Sequence, residues 1–338
     1  MPRPFRFVIF FLVGWFSILL HGVASPGKEL TPAEHPFFLV TDDPSATKTP
    51  RDSVWLPSFL PDTVWVSINE PNFRFILAED SLRVMAREVV ETANDSLRMA
   101  NNDRFIDFLT AVIEREGGMA YPFDSLKTVS MLTPPDSAFR IITWYVPLSG
   151  RQFRYFGLAQ AAGPSHEKKE IYRLVERDAD EGQATEAEFT HDAWYAALYY
   201  ELVMNTHHGE NHYVLLGWRG DNPLTRKRII EPFSLREGKP VFGARVFDMD
   251  GQQPCRVIFE YSSRVNMGLL YDRQYPGFGS RERVPMIVFD RLEPMEEAFR
   301  GQRQYYVPEG NIFDAFFFVE GRWQLRKDVD ARKHPETD

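Results

Sequence analysis

A single cysteine, Cys255, stands in 338 residues. One thiol cannot close an intramolecular disulfide, and it excludes thiolate-rich zinc sites and Cys-x-x-Cys redox pairs. Because it follows Pro254 at the head of an apolar run, it reads as a small buried side chain. Lysine is scarce as well, 9 residues against 30 arginines, and acids outnumber bases 48 to 39 for a formal net charge of −9. Long basic runs are missing, so the chain lacks the clustered cations that a phosphate backbone requires, and nucleic acid is excluded as a partner. The densest basic stretch, Arg226-Lys227-Arg228, falls in a strand-like segment where alternate residues face opposite ways.

Catalytic signatures are missing too. There is no Gly-x-Ser-x-Gly, no His-Glu-x-x-His and no glycine-rich phosphate cradle, and no motif calls for a cofactor. Ser-x-x-Lys occurs at Ser45–Lys48 and Ser165–Lys168, in a proline-rich and a polar stretch, whereas that serine chemistry opens an apolar helix. Glu260 and Asp290 lie in strand-like segments whose pairing the sequence leaves open, so no acid–base pair is defined.

The N-terminus carries more information. Arg3 and Arg6 precede the apolar run Phe7–Leu20, and Gly22-Val23-Ala24 supplies small residues for cleavage. This layout predicts a secretory signal peptide over 1–24, with an uncleaved signal anchor as its rival. After cleavage no stable membrane span is expected. Export with no disulfide fits the periplasm or envelope of a Gram-negative-type bacterium. Residues 25–77 read as an extended lead-in, because eight prolines from Pro26 to Pro71 cannot sustain a helix.

Apolar spacing near four predicts a helical segment over 78–120. Asp80 or Ser81 is its expected N-cap, a second helix runs near Asn102–Arg115, and Gly117-Gly118 ends it. From 121 to 330 the period is two, predicting an antiparallel β domain followed by a polar tail at 331–338. Strands are expected at 127–132, 139–146, 152–158, 169–175, 194–204, 212–218, 226–235, 240–247, 255–262, 266–272, 285–290, 303–307, 314–319 and 322–326. Turns fall at Ser149-Gly150, His207–Asn211, Glu237-Gly238, Asp250-Gly251 and Glu320-Gly321. The fold class is therefore α+β, two N-terminal helices followed by a large antiparallel β-meander, with a propeller-like or barrel-like all-β body as the alternative.

The segments at 121–127, 153–157, 215–218, 238–243, 257–262 and 286–290 (Tyr-Pro-Phe-Asp-Ser-Leu-Lys, Phe-Arg-Tyr-Phe-Gly, Leu-Leu-Gly-Trp, Gly-Lys-Pro-Val-Phe-Gly, Val-Ile-Phe-Glu-Tyr-Ser and Met-Ile-Val-Phe-Asp) resemble a group of uncharacterised exported bacterial proteins. The likeness spans roughly residues 78–330, implies export and a β-rich fold, and carries no catalytic residue with it.

Among candidate sites, His207, His208 and His212 cluster with His191 and would suit Zn²⁺ or Ni²⁺, although polar residues also gather at a hairpin tip for solvation alone. Asp248-Met-Asp250-Gly251 opens like a calcium loop, but the ligand series stops there and a plain Asp-Gly hairpin is the better reading. Arg219-Gly220-Asp221 reads as the start of a turn with Asn222-Pro223. Aromatics make up 14% of the chain, most of them expected in the core, with some available to stack on sugars or a partner protein.

One pattern exceeds chance. Asp followed by Ser or Thr and a small or apolar residue occurs with Ser53, Thr63, Ser81, Ser96, Ser125 and Ser137, where 22 Asp and 32 Ser plus Thr predict roughly two such dipeptides. The triplet is similar to an O-glycosylation signature of exported bacterial proteins; Asp-Ser also caps helices and turns.

Together these readings predict an exported envelope protein that binds or scaffolds an envelope protein or glycan through its β domain. An envelope hydrolase acting on glycans and a histidine-based metal-binding protein are the alternatives. On the natively expressed protein, peptide mass spectrometry is expected to find a hexose-type addition on at least one of the six triplets. Six unmodified peptides would refute the glycoprotein reading.

Overall fold

The chain divides into two compact units, Met1–Pro50 and Arg51–Asp338. The computed structural model describes residues 53–55, 65–67, 73–162, 169–177, 181–220 and 222–331, all in the second unit. The expected signal peptide, most of the lead-in, Thr63, both Ser-x-x-Lys matches, Asp221 and residues 332–338 lie outside the described residues.

A short antiparallel pair, β1 (Ser53–Trp55) and β2 (Trp65–Ser67), comes first. Two helices follow, α1 (Phe73–Glu91) and α2 (Asp95–Ile113). Helix α1 begins about two turns before the expected cap, because Phe75 and Ala78 continue the buried stripe of Leu82, Ala86 and Val89. Asp80 and Ser81 therefore sit inside the helix, where Asp80 pairs with Arg83 at 2.6 Å and the Ser81 hydroxyl bonds back to Leu77 O at 3.1 Å. The cap that does form is Asn94, whose side chain accepts Leu97 N–H at 3.0 Å and starts α2.

The helices bury their apolar stripes on one face of a four-stranded antiparallel sheet: β3 (Ser130–Leu132), β4 (Phe139–Leu148), β5 (Gln152–Ala162) and β6 (Lys169–Leu174), in that spatial order. A helix absent from the sequence expectation, α3 (Glu181–Glu186), and the two-residue β7 (Phe189–Thr190) lead into a second sheet. It comprises β8 (Leu198–His207), β9 (Glu210–Arg219), β10 (Thr225–Arg236) and β11 (Lys239–Phe242). After β12 (Phe247–Asp248), β13 (Val257–Ser262) returns to this sheet. Strand β10 is its axis: β9 covers one edge, while β13 and β11 share the other, at 225–230 and 233–236. The last sheet holds β14 (Leu269–Gln274), β15 (Val284–Pro294), β16 (Tyr306–Val319) and β17 (Arg322–Val329), with β12 parallel to β17 at its edge.

Three apolar clusters join the layers. One lies between the helices and the four-stranded sheet, a second between that sheet and the β10 sheet, and a third between the β10 sheet and the last one. None of these sheets closes into a barrel, so the meander reading holds and the barrel-like alternative does not. Two boundaries are corrected. The expected strand 240–247 breaks at Gly243, and of the expected strand 303–307 the first three residues form a 3₁₀ turn (Arg303–Tyr305) while the rest joins 314–319 in the continuous β16. The turns fall as expected: positive φ occurs at His208–Gly209, Glu237–Gly238, Asp250–Gly251 and Glu320–Gly321.

At the centre of the second interlayer core lies a fully buried ion pair, Arg256 Nε to Glu231 Oε1 at 2.8 Å. Arg256 also donates to the carbonyls of Ala184, Ala187 and Phe242, and its guanidinium lies 4.5 Å over the Phe189 ring. Tyr199 donates to the second carboxylate oxygen at 3.4 Å and accepts the Trp194 indole N–H at 2.9 Å. Burial pushes the Glu231 carboxyl up, against the pull of Arg256, and pushes the Tyr199 hydroxyl well up. Breaking such a pair strands a charge in the core. Arg256→Met alone is expected to cost about 3–5 kcal/mol in urea unfolding, whereas Glu231→Leu with Arg256→Met recovers most of that loss. Equal losses in the single and double variants would show that the ion pair is not what the site depends on.

Candidate functional site

The strand register gathers the chain connections at two ends of the β layers. At one end meet the β4–β5 turn, the β9–β10 loop, the β13–β14 loop and the long β15–β16 loop. Contacts tie them together. A Cβ on Gly220 would lie 3.1 Å from the Phe153 ring, and Ser263 bonds Leu224 O and Pro223 O at 2.8 and 2.7 Å. Gly268 N–H donates to Asp290 at 2.6 Å.

A half-buried cluster of rings and arginines lies at this end. Tyr145, Phe153 and Trp218 have centroids 5.2–5.7 Å apart, with the Phe153 edge set on both neighbours. The Arg226 guanidinium lies 5.7 Å from the Phe153 centroid and 5.8 Å from that of Trp218, held by bonds of 3.0 Å to Asn222 O and Thr225 O. Arg219 sits between the Tyr155 and Tyr195 rings at 5.3 and 5.0 Å and pairs with Glu176 at 3.3 Å. Burial raises the Tyr145 hydroxyl, which keeps it neutral. Asn222 accepts the N–H groups of Leu224 and Thr225, as expected for an Asn-Pro turn, and this leaves Leu224 61% exposed. Across the same end Met295 is 64% exposed, beside the stacked Phe299 and Tyr305 rings.

The carboxylates that the sequence left open serve the backbone and loops here: Glu260 accepts Thr225 Oγ1 at 2.6 Å, and Asp290 holds Gly268. Most aromatics were expected in the core, and Trp144, Tyr155, Phe156, Trp194, Tyr195 and Tyr199 are buried there, while Tyr145 and Tyr200 are half-buried. Trp218, Phe153 and Arg226 had been read only as strand residues. Their signal was a ring followed at once by Arg-Gly-Asp-Asn-Pro, which forces a loop beside it.

The histidines occupy the opposite end. His207 and His208 have ring centroids 4.1 Å apart at the β8–β9 tip, His207 presses on Gly321 of the β16–β17 turn, and His212 packs 5.3 Å from the Phe318 ring. His212 and Phe318 also line a cavity of about 110 Å³. Among the described residues, no three His, Cys, Asp or Glu side chains are grouped to hold a metal. Met249 and Gln252 exchange backbone bonds of 3.0 Å, so Asp250-Gly251 is the expected hairpin. Cys255 is buried, with its thiol pushed up by that burial and pointed at Glu186 O at 3.3 Å. Asp328 lies in β17 and pairs with Arg291 at 2.9 Å.

Of the triplet serines, Ser53 lies in β1, Ser96 is exposed in the first turn of α2, Ser81 is exposed with its hydroxyl tied to α1, and Ser125 is half-buried beside Glu79. Ser137 is exposed on a turn at φ 55.

No family model, curated protein or solved structure matches the chain.

Asp136 locks the β3–β4 loop to β9. Although desolvation raises its carboxyl, the Tyr213 hydroxyl, Ala138 N–H and Asn211 amide hold it below the usual range. A depressed carboxyl contributes stability above its unfolded value of about 3.9 and loses it as pH falls through the lower folded value. The stability gap between the wild type and Asp136→Asn is therefore expected to be full at pH 6 and to close as pH falls below the unfolded value of about 3.9 and through the lower folded value. A gap independent of pH in urea titrations would contradict this.

Proposed function

We propose that the chain is an exported envelope protein that holds a partner through the loops gathered at the Trp218 end of its β layers. The observation that carries this reading is the gathering of loops at one end, where the β4–β5 and β9–β10 connections flank rings and arginines already fixed by stacking and backbone bonds. Tyr, Trp, Phe, Met and Arg are the residues enriched at interface centres, because they bury much surface at little entropic cost. Leu224 and Met295 add exposed apolar side chains on rigid turns, where loops on a stable scaffold carry recognition. The apolar leader expected from sequence and the likeness to exported bacterial proteins supply the envelope setting. Ser137, exposed at the opposite end, leaves O-glycosylation compatible with the same surface, whereas Ser96 lies beside the β4–β5 turn, where Asp95 accepts the Ser149 N–H at 3.0 Å.

The test is co-purification from the envelope fraction in mild detergent, followed by identification of proteins retained in constant ratio. Leu224→Asp with Met295→Asp is expected to lower recovery of the partner about tenfold, the effect of ~1.4 kcal/mol, while the melting temperature stays unchanged. Retention of the same partner at wild-type ratio by that variant, or recovery of the wild type alone, would refute the reading.

A further inference from the structure

The core between the β10 sheet and the last sheet is apolar along most of its length, with Val203, Val214, Leu216 and Ile230 on the β10 side. At the end that carries the histidines this changes. Asn205 of β8 pairs with His212 of β9, and one step beyond the pair Phe233–Tyr213 the register sets Ser234 of β10 opposite His212. Residues directly opposite share a face, so three polar side chains stand in a row across three strands. Their face is that of Val203 and Val214, which lie two residues from Asn205 and His212. The row is not spent on the protein. The Asn205 side-chain carbonyl accepts the Tyr271 hydroxyl at 3.4 Å, but its amide nitrogen is buried without a partner. Among the described residues, nothing hydrogen-bonds the His212 ring or the Ser234 hydroxyl. Polar groups set into a core find their bonds, and three with capacity to spare point to something that supplies them.

Beside this row lies the cavity of about 110 Å³. His212 and Ser234 belong to its polar side, and Val214, Val246, Phe318 and Trp323 to its apolar one. The Phe318 ring lies 5.3 Å from that of His212 and 5.2 Å from that of Trp323, tilted by 53° and 57°, so stiff rings rather than flexible chains shape the space. Trp323 is buried and Ser234 is exposed, so the cavity runs from the core to the surface at Ser234. A cavity of ~150 Å³ takes up benzene, and this smaller one, open on one side, has room for a single ring. Among the described residues, no charged side chain lines it.

We infer that this cavity binds a small neutral molecule built on one flat ring with a hydroxyl at its edge. The ring lies against Phe318 and Trp323. The hydroxyl donates to a nitrogen of His212 and accepts from the Ser234 hydroxyl or the Asn205 amide on either side of it. A ring without a hydroxyl leaves those groups unpaired, and an ion enters a space that offers no counter-charge.

The probe is 4-fluorophenol, titrated with the full chain and followed by ¹⁹F NMR line broadening. Fluorobenzene is its counterpart without the hydroxyl, and cyclohexanol is a competitor without the flat ring. For so few atoms the expected Kd is on the order of 1 mM. Fluorobenzene is expected to bind about tenfold more weakly, the loss of one to two hydrogen bonds, and cyclohexanol at equal concentration to leave the probe bound. Ser234→Leu fills the mouth at an exposed position and is expected to weaken 4-fluorophenol about tenfold or more. His212→Phe keeps a ring against Phe318 and removes the acceptor, so the two fluorinated probes are expected to bind it alike. Equal binding of both probes by the wild type, displacement by cyclohexanol, or undiminished binding by Ser234→Leu would overturn the inference. So would a preference for the phenol that survives His212→Phe, or no broadening of 4-fluorophenol at all, the result of a cavity that holds only water. The comparison of the three small molecules on the wild type decides the matter even if His212→Phe perturbs folding.

Discussion

The Arg256–Glu231 pair is the constraint on which the second and third layers depend. A guanidinium with no exposed surface is tolerated only when its donors find acceptors, and here four of its five N–H groups do: to the carboxylate in β10 and to the carbonyls of Ala184, Ala187 and Phe242. Helix α3, β11 and β13 are thereby fixed around one side chain. The break at Gly243 belongs to the same arrangement, because a Cβ there would come within 2.7 Å of Arg256 Nη2 and the backbone sits at φ +89. A strand that continued from 240 to 247 would have no room for the arginine.

With that centre fixed, the β10 sheet can be apolar on both faces and serve as the middle of the stack. Leu215, Ile229 and Phe233 face one neighbouring sheet, while Val214, Leu216 and Ile230 face the other. A sheet buried on both sides cannot present a binding face, so the faces of this layer are closed to recognition. What remains accessible is its ends and edges. The loop end around Trp218 is of this kind.

Much of the architecture was legible because it is written in local periods. The switch from a four-residue to a two-residue repeat after Tyr121 marked where helices give way to strands, and Glu237-Gly238, Asp250-Gly251 and Glu320-Gly321 each marked a hairpin. Failures came where distant residues decide. The start of α1 was misplaced because Asp80-Ser81 carries cap chemistry, while Phe75 and Ala78 gain more from burial against the sheet than the cap would supply. Helix α3 was invisible because its six residues are held by Arg256, seventy-two residues further on at Ala184. The Trp218 cluster escaped for the same reason: Tyr145, Phe153 and Arg226 meet only after two sheets have stacked.

The long reach of Arg256 also orders the life of the chain. Until residue 256 is present, Glu231 has no counter-ion, α3 has no anchor and β10 has half of one edge bare. A chain that ends between Glu231 and Arg256 therefore carries a carboxylate without its counter-ion and a strand edge without its partner. Incomplete copies are thus marked by their own chemistry as unfinished, open to proteolysis, while full-length chains close over the same spot.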